Sequence, residues 1–386
     1  MKNRIKAEIT NVMEELVGIS KYLYENPELG HKEFKAEAYL TAFLKAKGFD
    51  VEHSICNMPT AFKATYDSKK VGPKIAFLCE YDALPGIGHG CGHNLIAAMG
   101  IGGALGLKSV IDEVGGSIAV FGTPAEETSG GKVTLSEKGA FEGVTVAMIA
   151  HPSAVTKESG NTLALNAYQF EFFGKTAHAA GCPEKGINSL DAVISTFNNV
   201  NTLRQYIGRD VRIHGIISEG GKAPNVIPDY AVAKFYVRAA TKKELEEISE
   251  KVLNCAKSAS LSTGAELKIS NFELSNADLR TNKVLSEAFN NNILLLGETE
   301  IEKADAPSGS SDMGNVSYVV PSIHPMIGMG NKELAGHTVE FAACTQTEKG
   351  KEALYKGASA LALTGYDVLT SPELVQKILE EFNKIQ

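Results

Sequence analysis

Three short apolar runs, at 75–79, 117–121 and 144–149, each lead straight into residues that bind cations or carry protons. After the first come Glu80, Asp82, His89, Cys91, His93 and Asn94 in a glycine-rich stretch. After the second comes Gly122-Thr-Pro-Ala-Glu-Glu127, and after the third Ala150-His-Pro152. Runs of this length with no charge inside suit strands buried on both faces, as in a mostly parallel sheet flanked by helices. Parallel neighbours place their carboxyl ends at one edge, where open α/β sheets bind ligands. One pattern therefore constrains fold and site together.

The rest of the chain fits an α/β reading. Helical spacing runs from Ile5 to Leu23 and from Phe34 to Leu44, with Gly48 as a stop. Ala61–Tyr66 reads as a strand, Leu95–Val110 as a buried helix containing glycines, and Lys132–Lys138 as a short helix. From about Thr162 the texture changes to longer alternating strands at 163–173, 212–218 and 230–238, with helices at 190–206 and 242–259. A closing strand at 265–270 makes this a β-α-β-β-α-β unit. The expectation is an inserted α+β, ferredoxin-like domain at 163–272, dividing an α/β domain into 1–162 and 273–386. Beyond it a helix is expected at 282–295, a strand at 322–327 and a long helix at 345–363.

Composition excludes several classes of partner. The chain has 386 residues and a net charge of −8, with no basic block, so it lacks the clustered positive charge that nucleic acid or an anionic membrane requires. The longest uncharged apolar stretch, 95–107, has 13 residues, short of the roughly 20 that span a bilayer. The first residues run directly into an amphipathic pattern carrying Glu14 and Glu15, without a leader-like apolar segment. A soluble, cytoplasmic protein is expected. Six cysteines at irregular positions read as free thiols, one of them a candidate ligand.

The stretch from Glu80 to Asn94 offers carboxylate, imidazole and thiolate donors together, a set that suits zinc. The alternative is a glycine turn that merely holds polar residues. Adjacent Glu126 and Glu127 repel each other unless a cation lies between them or one is protonated. A hydrolase uses such a pair by letting one bind metal while the other moves a proton. A solvated acidic turn is the alternative. His151 and the later His337 complete the set, although a lone histidine is more often structural. His31 and His53 are read as structural, and His324, within Ser322-Ile-His-Pro-Met326, is left open.

Taken together, Glu80-Tyr-Asp-Ala-Leu-Pro85, Gly88-His-Gly-Cys-Gly-His-Asn94, Thr123-Pro-Ala-Glu-Glu127 and Ala150-His-Pro152 form a specific signature. To these are added Gly174-Lys-Thr-Ala-His-Ala179, Ala223-Pro-Asn-Val-Ile-Pro-Asp229, Gly309-Ser-Ser-Asp312 and Gly336-His337. The sequence resembles the M20 family of metallopeptidases and amidohydrolases over nearly its whole length, in the aminobenzoyl-glutamate and amino-acid amidohydrolase branch. The resemblance implies that Cys91, His93, Glu127, His151 and His337 bind the metals, that Glu126 is the general base, and that Asp82 orients a ligand. Glu80 stands where other members carry a metal-binding histidine, with Cys91 supplying a ligand instead. Hippurate- and auxin-conjugate-type members usually read Cys-Gly-His-Asp followed by a second histidine where this chain reads Cys-Gly-His-Asn, which weakens a transfer of their substrates to it. The insertion matches the family's lid, which also carries the dimer contact. There His178 would polarise the scissile carbonyl, and Asn225 and Arg238 would hold the substrate's carbonyl or carboxylate. A salt bridge on the strand surface is the alternative for Arg238.

The implied protein is an amide hydrolase acting on small peptides or N-acyl and N-aminoacyl amino acids. It would use two divalent metal ions per subunit, with zinc favoured by the thiolate and manganese or cobalt as alternatives. It would assemble as a homodimer through the lid, or as a tetramer. Two other classes remain open: a non-catalytic metal- or peptide-binding module, and a thiol enzyme using Cys91 with His93 or His89 as base.

Overall fold

The computed structural model describes residues 1–304, 306 and 309–385. In chain order the first elements are α1 (Lys2–Asn11), α2 (Met13–Glu25), α3 (Phe34–Ala46), β1 (Asp50–His53), β2 (Phe62–Asp67), β3 (Lys74–Cys79), α4 (His93–Val114), β4 (Ser117–Gly122), α5 (Gly131–Glu137), β5 (Val146–Met148) and β6 (His151–Ser153). Next come β7 (Ala164–Phe173), α6 (Ser189–Leu203), β8 (Arg212–Glu219), β9 (Tyr230–Ala239), α7 (Lys242–Thr263) and β10 (Glu266–Asn271). The chain ends with α8 (Lys283–Leu295), α9 (Met313–Ser317), β11 (Ser322–Ile323), β12 (Met326–Gly328), α10 (Val339–Cys344), α11 (Glu348–Thr370) and α12 (Pro372–Ile385). Two compact units result: Met1–Asn161, Leu279–Pro307 and Ser311–Gln386 form one, and Thr162–Asp278 with Ser308–Ser310 the other.

In the first unit a six-stranded sheet has the order β1-β2-β4-β3-β5-β11. Strands β4, β3, β5 and β11 are parallel, and β2 and β1 are added antiparallel. The apolar runs divide by pleat, as successive strand side chains face opposite ways. Ile75, Phe77, Ile118, Val120, Val146 and Met148 enter one hydrophobic cluster. Ala76, Leu78, Ala119, Phe121, Ala147 and Ile149 enter another. Both faces are therefore covered, and the ends of β3 and β4 lie side by side.

Helix α4 is buried beside β3 because its glycines admit close neighbours. A Cβ on Gly102 would lie 2.7 Å from Ala358 Cβ on α11 and 2.8 Å from Leu16 Cδ1 on α2. The helix runs four residues beyond the expected 110, and its 22 residues are long and apolar enough to cross a bilayer. That corrects the reading from the 13-residue stretch. Of its most apolar 18-residue window, 89% is buried inside the fold, so it serves as a core helix.

Other expectations changed at specific breaks. The strand expected at 322–327 divides at His324-Pro325 into β11, which joins the main sheet beside β5, and β12, which pairs with β6. Proline donates no ladder hydrogen bond, which favours the break. His151 consequently opens β6 rather than ending β5. The helix expected at 345–363 is α11, which starts at Glu348 behind the capping hydroxyl of Thr347 and runs on to Thr370, while α10 and α12 were not anticipated. The first helix likewise breaks at Val12.

The second unit is a four-stranded antiparallel sheet in the order β10-β7-β9-β8. Its core side chains come from this sheet and from α6 and α7. This is the β-α-β-β-α-β, ferredoxin-like arrangement. Its outer strand β8 is bulged between Ile217 and Glu219 and leaves Ile216 and Ile217 exposed.

The glycines give opposite expectations at two helical sites. Gly102→Val should lower unfolding free energy by about 1–3 kcal/mol through overpacking. Gly18→Ala, where a Cβ meets nothing within 4 Å, should raise it by about 0.5–1 kcal/mol. Urea unfolding checks both, and equal effects would contradict the packing account.

Candidate metal centre

The site is assembled from loops that follow β3, β4 and β5. Asp82 is buried and joins the first two: Oδ1 accepts from His93 Nδ1 at 3.0 Å, and Oδ2 accepts the Glu127 amide at 2.9 Å. Gly92, at φ +83°, lets the chain turn into α4. A Cβ there would lie 2.4 Å from Pro152 Cγ, so no larger residue fits.

Hydrogen bonds fix which ring nitrogen faces the site. His93 Nδ1 is committed to Asp82, and His151 Nδ1 donates to the Pro152 carbonyl at 2.7 Å. Their Nε2 atoms are left to meet a cation, which is how second partners orient ligating imidazoles. His151 Nε2 lies 3.4 Å from Cys91 Sγ. The donor atoms of Cys91, His93 and His151 all lie within 4.8 Å of one another, and so do those of Cys91, Glu127 and His337. Cys91 is common to these two triads, and His93 also groups with Glu126 and Glu127. His337 reaches the site from far along the chain, at φ +62°, with its amide donating to the Gly90 carbonyl at 2.9 Å and Nε2 3.4 Å from Glu127 Oε1.

The electrostatics call for positive charge. Burial disfavours a charged His93 ring, but Asp82, Cys91 and Glu80 more than offset it and raise its pKa well above the usual imidazole value. Burial, with Glu80 and His93 acting in opposite senses, lowers His151 to about 4 and keeps it neutral, as a ligand must be. Burial pushes the Cys91 thiol up. Among the described residues, His93 Nε2 and Glu127 Oε1 are buried without a hydrogen-bond partner. A divalent cation fits this set of thiol, imidazole and carboxylate donors.

Beside the triads lies a second charged group that the sequence did not disclose. Lys132 is fully buried, with Nζ 2.6 Å from Glu80 Oε1 and 2.6 Å from Asp312 Oδ1. Burial opposes ionisation of Glu80, but Lys132 and the nearby histidines bring its pKa down to about 2. Asp312 and Glu80 in turn hold Lys132 above its usual value despite burial. The donor atoms of Glu80, Glu126 and Asp312 also cluster, and there the cation is the lysine's own ammonium. Burial and the charges of Glu80 and Asp312 raise Glu126 well above the ordinary carboxyl value, while Lys132 pulls it back. Glu80 is thus a lysine-paired carboxylate, with Oε2 3.3 Å from His93 Nε2.

His324, left open by the sequence, is buried with its ring centroid 5.4 Å from that of His151. His89 is buried, against the backbone of Leu23. His53 pairs with Glu37 at the surface, and His31 bonds the Ser129 hydroxyl. His178, Asn225 and Arg238 belong to the second unit. His178 is exposed, and its Nδ1 accepts the amides of Ala180 and Gly181 at 3.3 and 3.0 Å. The Asn225 carbonyl accepts the Ala179 amide at 3.0 Å. Arg238 donates to Ser310 Oγ at 2.7 Å and lies over the Tyr236 ring.

Residues 164–263 match the family model described as Peptidase dimerisation domain. Xaa-Arg dipeptidase of Mus musculus is 36% identical over an alignment of 397 residues, covering 99% of this chain and 92% of that protein. The chain belongs to the M20 peptidase family. One of the subunits of p-aminobenzoyl-glutamate hydrolase from Escherichia coli (strain K12) is 32% identical over 266 residues, 64% of this chain and 55% of that one. A dinuclear metal-binding peptidase of the M20 family from Bacillus subtilis shares the fold, with a TM-score of 0.64 at 17% identity over 92% of this chain and 99% of that one. As an M20 member this protein is a metal-dependent hydrolase of amide and peptide bonds.

Removing Lys132 strands two buried carboxylates. Lys132→Met should therefore cost about 3–5 kcal/mol in urea unfolding, and a loss below about 1 kcal/mol would contradict the buried ion pairs described above.

Proposed function

We propose that this M20 hydrolase holds two divalent cations per subunit, zinc first and manganese or cobalt as alternatives, through Cys91, His93, His151, Glu127 and His337. Its proposed substrates are small peptides or N-acyl and N-aminoacyl amino acids. The observation that carries this reading is the sharing of Cys91 between two ligand triads whose imidazoles already present Nε2. Cations held there would supply Lewis acidity, activating water and polarising the scissile carbonyl.

The protein's own groups do the rest. Glu126 receives the proton of the attacking water and returns it to the departing nitrogen, a task suited to a carboxyl whose pKa is raised. Asp82 keeps His93 aligned and holds the Glu127 backbone in place. Because His178 Nδ1 accepts amide hydrogens, its proton resides on Nε2, which can donate to the substrate's carbonyl oxygen. Asn225 and Arg238 hold the substrate's carbonyl and carboxylate, and a guanidinium suits a carboxylate. The second unit, as a lid at about 163–272, carries a homodimer, and two such dimers would make a tetramer. A cytoplasmic location is also proposed, supported by six unpaired cysteines.

The test is metal analysis together with hydrolysis of a panel of dipeptides, including Xaa-Arg, and N-acyl amino acids, before chelation, after it and after metal is restored. About two metals per chain with metal-restored hydrolysis are expected. Metal without turnover would favour a binding module, and turnover untouched by chelation a thiol enzyme. Glu126→Gln should keep the metals and lose at least about a hundredfold in kcat, and near-normal kcat would remove it as the base.

A further inference from the structure

Glu33 lies 92 residues before Ala125 in the chain, is fully buried, and belongs to none of the motifs that mark the site. Both of its carboxyl oxygens are used. Oε1 accepts the Ala125 amide at 2.9 Å, and Oε2 accepts the Thr60 hydroxyl at 2.9 Å. Ala125 immediately precedes Glu126 and sits at φ +62°, a left-handed conformation that a residue with a Cβ keeps only when its surroundings hold it. Two residues on, the Glu127 amide is held by Asp82. Two buried carboxyl groups from different loops therefore grip the backbone on either side of Glu126.

The segment that carries Glu33 closes over the same turn. A Cβ on Gly30 would lie 2.4 Å from Thr128 Oγ1 and 3.0 Å from Ala125 Cα. His31 bonds the Ser129 hydroxyl. The Glu28 carbonyl accepts the Ala83 amide at 2.8 Å, and Tyr81 donates to the Thr60 carbonyl, which ties the segment to the loop holding Asp82 as well.

We infer that Glu33 is a positioning residue for catalysis: through Thr60 and Ala125 it fixes the left-handed turn that aims Glu126 and Glu127. The inference rests on the proposed roles of those two glutamates. It concerns acceptor geometry rather than charge, because either protonation state leaves an oxygen to accept the Ala125 amide.

The test compares Glu33→Leu, Glu33→Gln and Thr60→Val in the metal-loaded enzyme, with Glu126→Gln beside them. Hydrogen exchange of the peptide spanning 122–131 is read together with kcat and KM. In Glu33→Leu, exchange should accelerate about tenfold and kcat fall about a hundredfold with KM held within about threefold. Glu33→Gln keeps an acceptor and should restore both. Thr60→Val should shift both in the direction of the leucine variant, and it decides the matter if that variant does not fold. Unchanged exchange, faster exchange with normal kcat, or equal losses in the leucine and glutamine variants would each overturn the inference. Normal turnover in Glu126→Gln would instead overturn the reading of the site, and exchange alone would then decide whether Glu33 holds the turn.

Discussion

A carboxylate taken out of water at the end of a strand has to be satisfied by donors on every side, and Asp82 meets that demand in a way that fixes the site. Its two oxygens hold the His93 ring and the Glu127 backbone. One buried charge thereby aligns an imidazole that opens α4 with a glutamate that follows β4. These strands are neighbours in parallel register, so their carboxyl ends can be joined by a single side chain. The shared Cys91 and the arrangement of both triads depend on that joint, since an imidazole free to turn would present either nitrogen.

The α/β sheet and its active edge were legible because the signal is local and repeated. The strands at 75–79 and 117–121 carry alternating side chains for two cores and are punctuated by glycine, proline and charge. Cys91, His93, Glu126, Glu127 and His151, whose donor atoms cluster in the fold, stood out for the same reason, as each follows such a strand. The β-α-β-β-α-β order of the second unit could likewise be read from period alone.

What stayed hidden depends on contacts between distant segments. Lys132 looked like an ordinary residue at the start of a short helix, and only the fold shows its ammonium between Glu80 and Asp312. The one local hint was a lysine among positions that became buried, and a sequence does not show which positions those are. Glu33 gave no hint at all, since its partners are 27 and 92 residues away. The division at His324-Pro325 was misread because an apolar run outweighed the missing proline donor, although His324 proved to lie beside His151. Charge placement thus proved harder to foresee than fold, since a buried ion depends on all of its surroundings at once.

Under the proposed function, the thiolate of Cys91 would serve both cations. X-ray absorption at the metal edge of fully loaded protein tests it most directly. Sulfur is expected in the coordination sphere at about 2.3 Å if the metal is zinc, averaging one sulfur per metal, with its complete loss in Cys91→Ser. A sphere of nitrogen and oxygen alone in the wild-type protein, or a sulfur signal that survives the serine substitution, would contradict it.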